Sequence, residues 1–398
     1  MAFDHLLSPT QAGDMQLKHR VVMSPMTRLR NDPVTEAPRE INVLYYSQRT
    51  TEGGLIISEG VAPSAHGRGY IRAPGVHTEA HLEGWKKVTA EVHRKGGFLF
   101  CQLMHAGRVS HSSLLPDNEL PVAPSAVKME GLIHVQNGKV PYEEPRALAK
   151  EELPDIVNQF VTAAKNAIAC GFDGIELHGG NGYLLQEFLA LKTNRRTDEY
   201  GGSVENRARF VLEVVDACVD AIGSTKVGIK LQSGVTFSDL VEPEDDVLAQ
   251  YEYLGPQLEK RKLAYVCLSS INGEPYFRFA QLSEPNLSID PFRYFRKYYK
   301  GTLIINGALT PEKGEEYVAD GTADLVSYGA LFLANANLPA LIATGKPIDY
   351  TSAWNVAVWY GRNPEDDEKG YTDWPLVDAV IDSIKAGATA VKEAVVGA

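Results

Sequence analysis

EELPDIVNQFVTAAKNAIACGFDGIELH, residues 151–178, sets a long amphipathic segment directly before a short apolar one. Leu153, Ile156, Phe160, Ala163 and Ala167 fall at the three-to-four-residue spacing of one buried helical face. FDGIELH, 172–178, then reads as a strand, and near-continuous apolar strands imply burial on both sides, as in a parallel sheet. The same alternation extends in both directions. Strand candidates lie at 20–25, 54–59, 97–102, 172–178, 226–231, 264–269, 302–306 and 324–328. Helix candidates lie at 79–95, 151–169, 204–222, 244–261, 289–299 and 311–320. Eight strands with helices between them favour an α/β fold of the closed (β/α)8 TIM-barrel type over an open doubly wound sheet. No break in composition marks a second domain, so residues 1–398 are expected to form one barrel domain. It would carry a long insertion at 103–150, after the third strand, and a C-terminal extension at 345–398. An irregular stretch as long as 103–150 reads either as the lid or wall of a site or as a packing flap.

Of the 398 residues, 39 are basic and 51 acidic, a net charge of −12, and 44% are hydrophobic. A net negative surface argues against non-specific binding to nucleic acid or to anionic membranes. No apolar run is long enough to span a bilayer, and MAFDHLLSPT lacks the basic-then-apolar order of a secretory signal. A cytoplasmic protein acting on a small molecule is therefore expected. Cys101, Cys170, Cys218 and Cys267 form no metal-ligand spacing and read as buried free thiols. His77 and His81 are four apart without a third ligand in view, so no metal site is expected.

In a barrel of this type the site lies at the C-terminal ends of the strands. Those ends supply Pro25, Met26 and Thr27, then Gly60, then Gln102 and His105, then His178, Asn181 and Tyr183, then Lys230 and Gln232. The last two strands end at Asn306-Gly307 and Tyr328-Gly329, turns of the kind that hold a phosphate on backbone N–H groups. A His and an Asn can both donate to one oxygen, and a nearby Tyr can transfer a proton. The plainer alternative is a strand-end His and Asn tying down their own loop while Tyr183 packs.

LHGGNGYLLQEFLALKTNRRTDEYGGSVENRARF, 177–210, closely resembles the signature of the old yellow enzyme family. HRVVMSPMTRLR at 19–30, QLMHAGR at 102–108, INGALT at 305–310, ADLVSYG at 323–329 and GYTDWP at 370–375 extend the resemblance along nearly the whole chain. The resemblance implies a (β/α)8 barrel with FMN across its top. It also implies hydride transfer from NADPH or NADH to the β-carbon of an activated alkene. By position, Pro25, Met26 and Thr27 should edge the flavin ring, and Gly60 and Gln102 should contact its pyrimidine side. His178 and Asn181 match the pair that binds the substrate carbonyl, and Tyr183 matches the proton donor to the α-carbon. Gly307 and Gly329 match the phosphate turns, and Tyr360 matches an aromatic residue of the substrate pocket.

Several positions depart from the family pattern, among them Gln232 and Ser233 in place of the usual Ser-Pro. Lys230 stands where an arginine faces the flavin, keeping the charge but losing the planar fork. Met104 stands where a tryptophan is usual, which softens the pocket. Ala330 stands where an arginine grips the phosphate; losing one charge-assisted hydrogen bond of about 1.5–3 kcal/mol weakens binding by about 10- to 150-fold. FMN is thus expected to bind weakly or to have been lost. Met104, the 103–150 segment and Tyr276, Phe277 and Phe279 suggest a roomy apolar pocket for a bulky carbonyl metabolite. The leading expectation is an FMN-dependent ene-reductase using NAD(P)H. The alternative is a flavin-independent epimerase or isomerase in which His178 and Asn181 promote enolisation and Tyr183 moves the proton.

Overall fold

A computed structural model of the chain describes residues 3–233, 238–270, 287–361 and 364–374. Eight parallel strands close into a barrel in chain order: β3 (Val21–Met23), β4 (Leu55–Ile57), β5 (Phe98–Leu103), β10 (Gly174–Gly179), β11 (Val227–Ser233), β12 (Tyr265–Ser270), β13 (Leu303–Asn306) and β14 (Leu325–Tyr328). Each falls on one of the eight apolar runs read from the sequence. Outside the barrel strands, β1 (Thr10–Ala12) and β2 (Met15–Leu17) form an N-terminal hairpin.

The two-residue strand period divides the barrel into two apolar regions. Ile175 and Leu177 face outward to the helices, among them α3 (Leu153–Ala169) and α5 (Val204–Ile222). Val22, Leu55, Ile57, Phe100, Tyr265, Cys267, Ile304 and Leu325 fill the interior, where Ala12, Met15 and Leu17 of the hairpin cap them from below. The lower barrel is therefore a packed plug. The next inward residues up the strands are Ser24, Gln102, Glu176, Lys230, Ser269, Asn306 and Ser327, so the interior turns polar just below the mouth. The four cysteines are all buried free thiols.

The 103–150 segment has more structure than its composition suggests. β6 (Val122–Ala123) pairs with β9 (Arg146–Ala147), and β7 (Leu132–Val135) with β8 (Gly138–Pro141) in a hairpin. Met129, Ile133, Val135 and Tyr142 pack with Met104 and Tyr183 in one cluster, so the segment is a wall against Tyr183. Buried Arg108 anchors it by donating to Val127 O, Lys128 O and Ser238 O and by pairing with Asp239. Helix α1 (Glu40–Arg49) has no counterpart among the sequence expectations. Its buried face mixes Asn42, Gln48 and Arg49 with Tyr45 and Tyr46, which blurs the apolar period.

Residues 358–361 and 364–371 strap across the barrel top beside β3. Arg28 donates to Trp359 O at 2.7 Å and Gly370 O at 2.8 Å. Arg30 donates to the carbonyls of Arg28, Val358, Trp359, Asp367 and Lys369 at 2.9–3.0 Å. Tyr371 stacks on Tyr45 at 4.0 Å, with the Arg28 guanidinium about equally far from both rings. Burial lowers Arg30 to about 10, which leaves it charged at neutral pH. Arg30→Met keeps much of the volume but strips the carbonyls of Asp367 and Lys369 of this donor. We expect a loss of about 3 kcal/mol or more in urea unfolding, with new proteolytic cleavage within 358–371.

Candidate functional site

Register builds the site floor. Gln102 lies beside Glu176, and His178 beside Lys230, as paired residues of adjacent parallel strands. Gln102 Nε2 donates to Glu176 Oε1 at 2.8 Å, and Lys230 Nζ donates to Asn306 Oδ1 at 3.3 Å. Asn306 in turn donates to Ser24 Oγ and Ser327 O, joining the two ends of the barrel sequence. Burial raises the Glu176 carboxyl to about 7, with Lys230 and the Gln102 bond pulling it back. Because the Gln102 amide gives its N–H to Glu176, its carbonyl oxygen remains to accept a bond from a ligand.

On one wall above this floor stand His178, Asn181 and Tyr183. His178 Nδ1 accepts the Gly180 N–H at 3.3 Å, which assigns the ring proton to Nε2. Burial, and secondarily Lys230, hold the imidazole well below its usual pKa, so it is a neutral donor. Asn181 sits in the left-handed region at φ 55°, a conformation asparagine tolerates, and its carbonyl is held by Ser238 Oγ at 2.7 Å. Tyr183 is the N-cap residue of α4 (Leu184–Leu189), with its ring 4.9 Å from that of His178. Its hydroxyl lies 2.9 Å from the hydroxyl of Tyr70. Burial pushes the Tyr183 phenol well up; Tyr70 lowers it, and Tyr360 and Tyr142 raise it further.

Elsewhere at the mouth, glycines let methionine side chains lie close against the backbone. A Cβ at Gly60 would lie 2.6 Å from Met104 Sδ, and one at Gly329 would lie 2.9 Å from Met26 Sδ. Past Gly329 the mouth opens into a cavity of about 140 Å³ lined by Ser269, Asn306, Gly307, Gly329, Ala330 and Trp354, among others. Among the described residues lining this cavity there is no lysine or arginine. At the start of the helix Ala330–Ala334, the Phe332 N–H is taken by Gly329 O at 3.0 Å, while the amides of Ala330 and Leu331 precede any intrahelical acceptor. The residues present fit a flavin mononucleotide: polar groups from Gln102 and Lys230 for the ring, and the amides and hydroxyls of the cavity past Gly329 for the phosphate.

The structure thus gathers His178, Asn181 and Tyr183, pairs Met26 with Gly329 and Gly60 with Met104, and sets Tyr360 near Tyr183. Pro25, Met26 and Thr27 are half-buried at the end of β3. His105 does not join the site: its ring neighbours Phe160, and its Nδ1 accepts the Gly107 N–H. Tyr276, Phe277 and Phe279 lie outside the described residues, as does the chain beyond residue 374. Sequence reasoning missed Glu176, although an acidic residue two before His178 in an apolar strand shares its face. It also missed Tyr70 and Tyr142, for which no local signal exists. His77 and His81 stack edge-on, and each meets a backbone carbonyl.

Comparison with known proteins matches residues 5–349 to the NADH:flavin oxidoreductase / NADH oxidase family. The chain is 38% identical over 383 residues to 12-oxophytodienoate reductase 1 of Oryza sativa subsp. japonica, covering 94% of each. A structure of morphinone reductase with tetrahydroNAD superposes at a TM-score of 0.81 and 39% identity, covering 93% of this chain and 97% of that one. The old yellow enzyme homologue from Zymomonas mobilis gives 0.83 at 34% identity, covering 93% and 99%.

Two outcomes follow from this geometry. Ala330→Arg should tighten FMN binding about 10- to 150-fold in titration of the apoprotein; unchanged affinity would remove Ala330 from the phosphate end. A carboxyl raised from 4.5 to about 7 stabilises the fold below pH 4.5, and that contribution is lost as pH rises through 7. Glu176→Gln should therefore gain on the parent protein between those limits, by up to about 3 kcal/mol in urea unfolding at pH 8 relative to pH 4.5.

Proposed function

The chain belongs to the NADH:flavin oxidoreductase / NADH oxidase family, the old yellow enzymes, and from that premise we propose that it reduces the activated C=C bond of a bulky α,β-unsaturated carbonyl compound. NADPH or NADH is the reductant, and FMN, when bound at the barrel mouth, supplies the hydride. The observation that carries this reading is the locked tautomer of His178, whose Nε2–H stands on the same wall as Asn181 and Tyr183.

His178 and Asn181 donate to the substrate carbonyl oxygen, and their hydrogen bonds strengthen as enolate charge builds there. A neutral imidazole suits this task, because it keeps its proton while polarising the oxygen. Tyr183, held protonated by burial, gives its phenolic proton to the α-carbon. Pro25, Met26 and Thr27 would edge the ring of a bound FMN, Gly60, Gln102 and Lys230 would face its polar edge, and Gly307 and Gly329 would hold its phosphate. The aromatic surround of Tyr183, with Met104 and Tyr360, favours a bulky apolar carbonyl compound over a sugar or a nucleotide.

Tyr183→Phe keeps the pocket shape and removes one hydroxyl. Cofactor reduction by NADPH should continue unchanged while alkene reduction slows about 10²- to 10⁴-fold. Changing His178 and Asn181 together to alanine should cost on the order of 3 kcal/mol of barrier for each donor. Mass analysis of turnover in deuterated water decides the reaction class. A product heavier by one hydrogen and one deuterium, formed only with nicotinamide and flavin, supports reduction. A product with one exchanged hydrogen and no dependence on nicotinamide would overturn it in favour of isomerisation.

A further inference from the structure

We propose that Tyr70 is the positioning residue and proton relay of Tyr183, passing its own phenolic proton to Tyr183 as that residue spends its proton on the substrate. The inference rests on the reduction proposed above and names the group that restores its acid.

The two hydroxyl oxygens are 2.9 Å apart and the rings stand edge-on, with centroids 6.5 Å apart at 86°. Each phenol has a single proton. If Tyr183 directed its proton at Tyr70, none would face the pocket. With Tyr70 as donor, the Tyr183 O–H is turned away from Tyr70 and toward the space beside His178. The environment of Tyr183 also makes its anion costly. Burial is the largest influence and the Tyr360 and Tyr142 phenols add to it, whereas the Tyr70 hydrogen bond acts in the opposite sense. Tyr70 is thus the neighbour that stabilises negative charge on the Tyr183 oxygen.

The loop bearing Tyr70 is anchored on both sides of it. Arg68 donates to Leu114 O at 3.1 Å and pairs with Glu36. The Arg72 N–H donates to Glu36 Oε1 at 2.7 Å, and the Arg72 guanidinium pairs with Asp367 at 2.5 Å. Arg72 itself is held at φ 58°, a left-handed backbone that needs such bracing in a residue other than glycine. The bracing fixes where the Tyr70 hydroxyl points. Tyr70 is half-buried whereas Tyr183 is buried, so Tyr70 is the more accessible of the pair.

The protons balance in three moves. The Tyr183 O–H bond breaks and its proton forms the new C–H bond at the α-carbon, leaving an electron pair on the Tyr183 oxygen. In the same step the Tyr70 proton moves to that oxygen. Water then reprotonates Tyr70, and the buffer takes up the hydroxide.

Stopped-flow measurements on the FMN-loaded enzyme, with NADPH and with 2-cyclohexenone as the alkene probe, separate the two half-reactions. Tyr70→Phe should leave reduction by NADPH unchanged and slow the alkene step about 10- to 100-fold. In H₂O/D₂O mixtures the rate of that step should change from a curved to a linear dependence on deuterium content, a readout that a structural role would not move. In the Tyr183→Phe background the same substitution should cause no further slowing. Equal slowing in both backgrounds, or none in the parent enzyme, would overturn the relay while leaving Tyr183 as donor. An alkene step untouched by Tyr183→Phe alone would overturn the donor itself, and the relay with it.

Discussion

Two buried guanidinium groups, those of Arg28 and Arg30, hold the upper face of the barrel together. They lie just past the end of β3, and their donors are spent on backbone carbonyls of residues 358–370. A segment of loop without secondary-structure partners is stable there because arginine supplies the donors that a neighbouring strand would otherwise provide. Lysine could not replace them, since one ammonium cannot reach carbonyls on both sides of a planar fork. Thr27 is chain neighbour to Arg28, and Tyr360 lies within the strap. One set of hydrogen bonds therefore fixes both the ring-edging residue and a pocket residue.

The floor of the site obeys a different constraint. Seven strands place polar groups in the barrel interior at one level, and each must find a partner because water is excluded below by the apolar plug. Gln102 bonds one oxygen of Glu176, and Asn306 gathers Lys230, Ser24, Ser269 and Ser327. Lys230 and the burial around it also keep His178 neutral. The donor character of the imidazole thus depends on the polar layer as well as on its own loop.

Legibility in the sequence followed distance along the chain. The eight barrel strands were readable because a strand buried on both faces is a local apolar run, whatever it later pairs with. His178, Asn181 and Tyr183 were readable because they lie within six residues of each other at one strand end. Helix α1 was not, because its buried face is held by polar contacts such as Arg49 to Phe332 O, which leave no apolar rhythm. Tyr70 was not, because its hydrogen bond to Tyr183 spans 113 positions and depends on how Arg68 and Arg72 fasten a loop. Glu176 stood in plain view within FDGIELH, and only its parity with His178 marked it as inward-facing.

The N-terminal hairpin that seals the lower barrel has a consequence for access. With Ala12, Met15 and Leu17 closing one end, whatever binds at the mouth enters and leaves at the opposite end, where the 103–150 wall and residues 358–361 and 364–371 stand. Both are fastened by arginine, the first through Arg108 to Ser238 and Asp239, the second through Arg28 and Arg30. Binding and release therefore share one face of the barrel, and a ligand seated there leaves the apolar plug undisturbed.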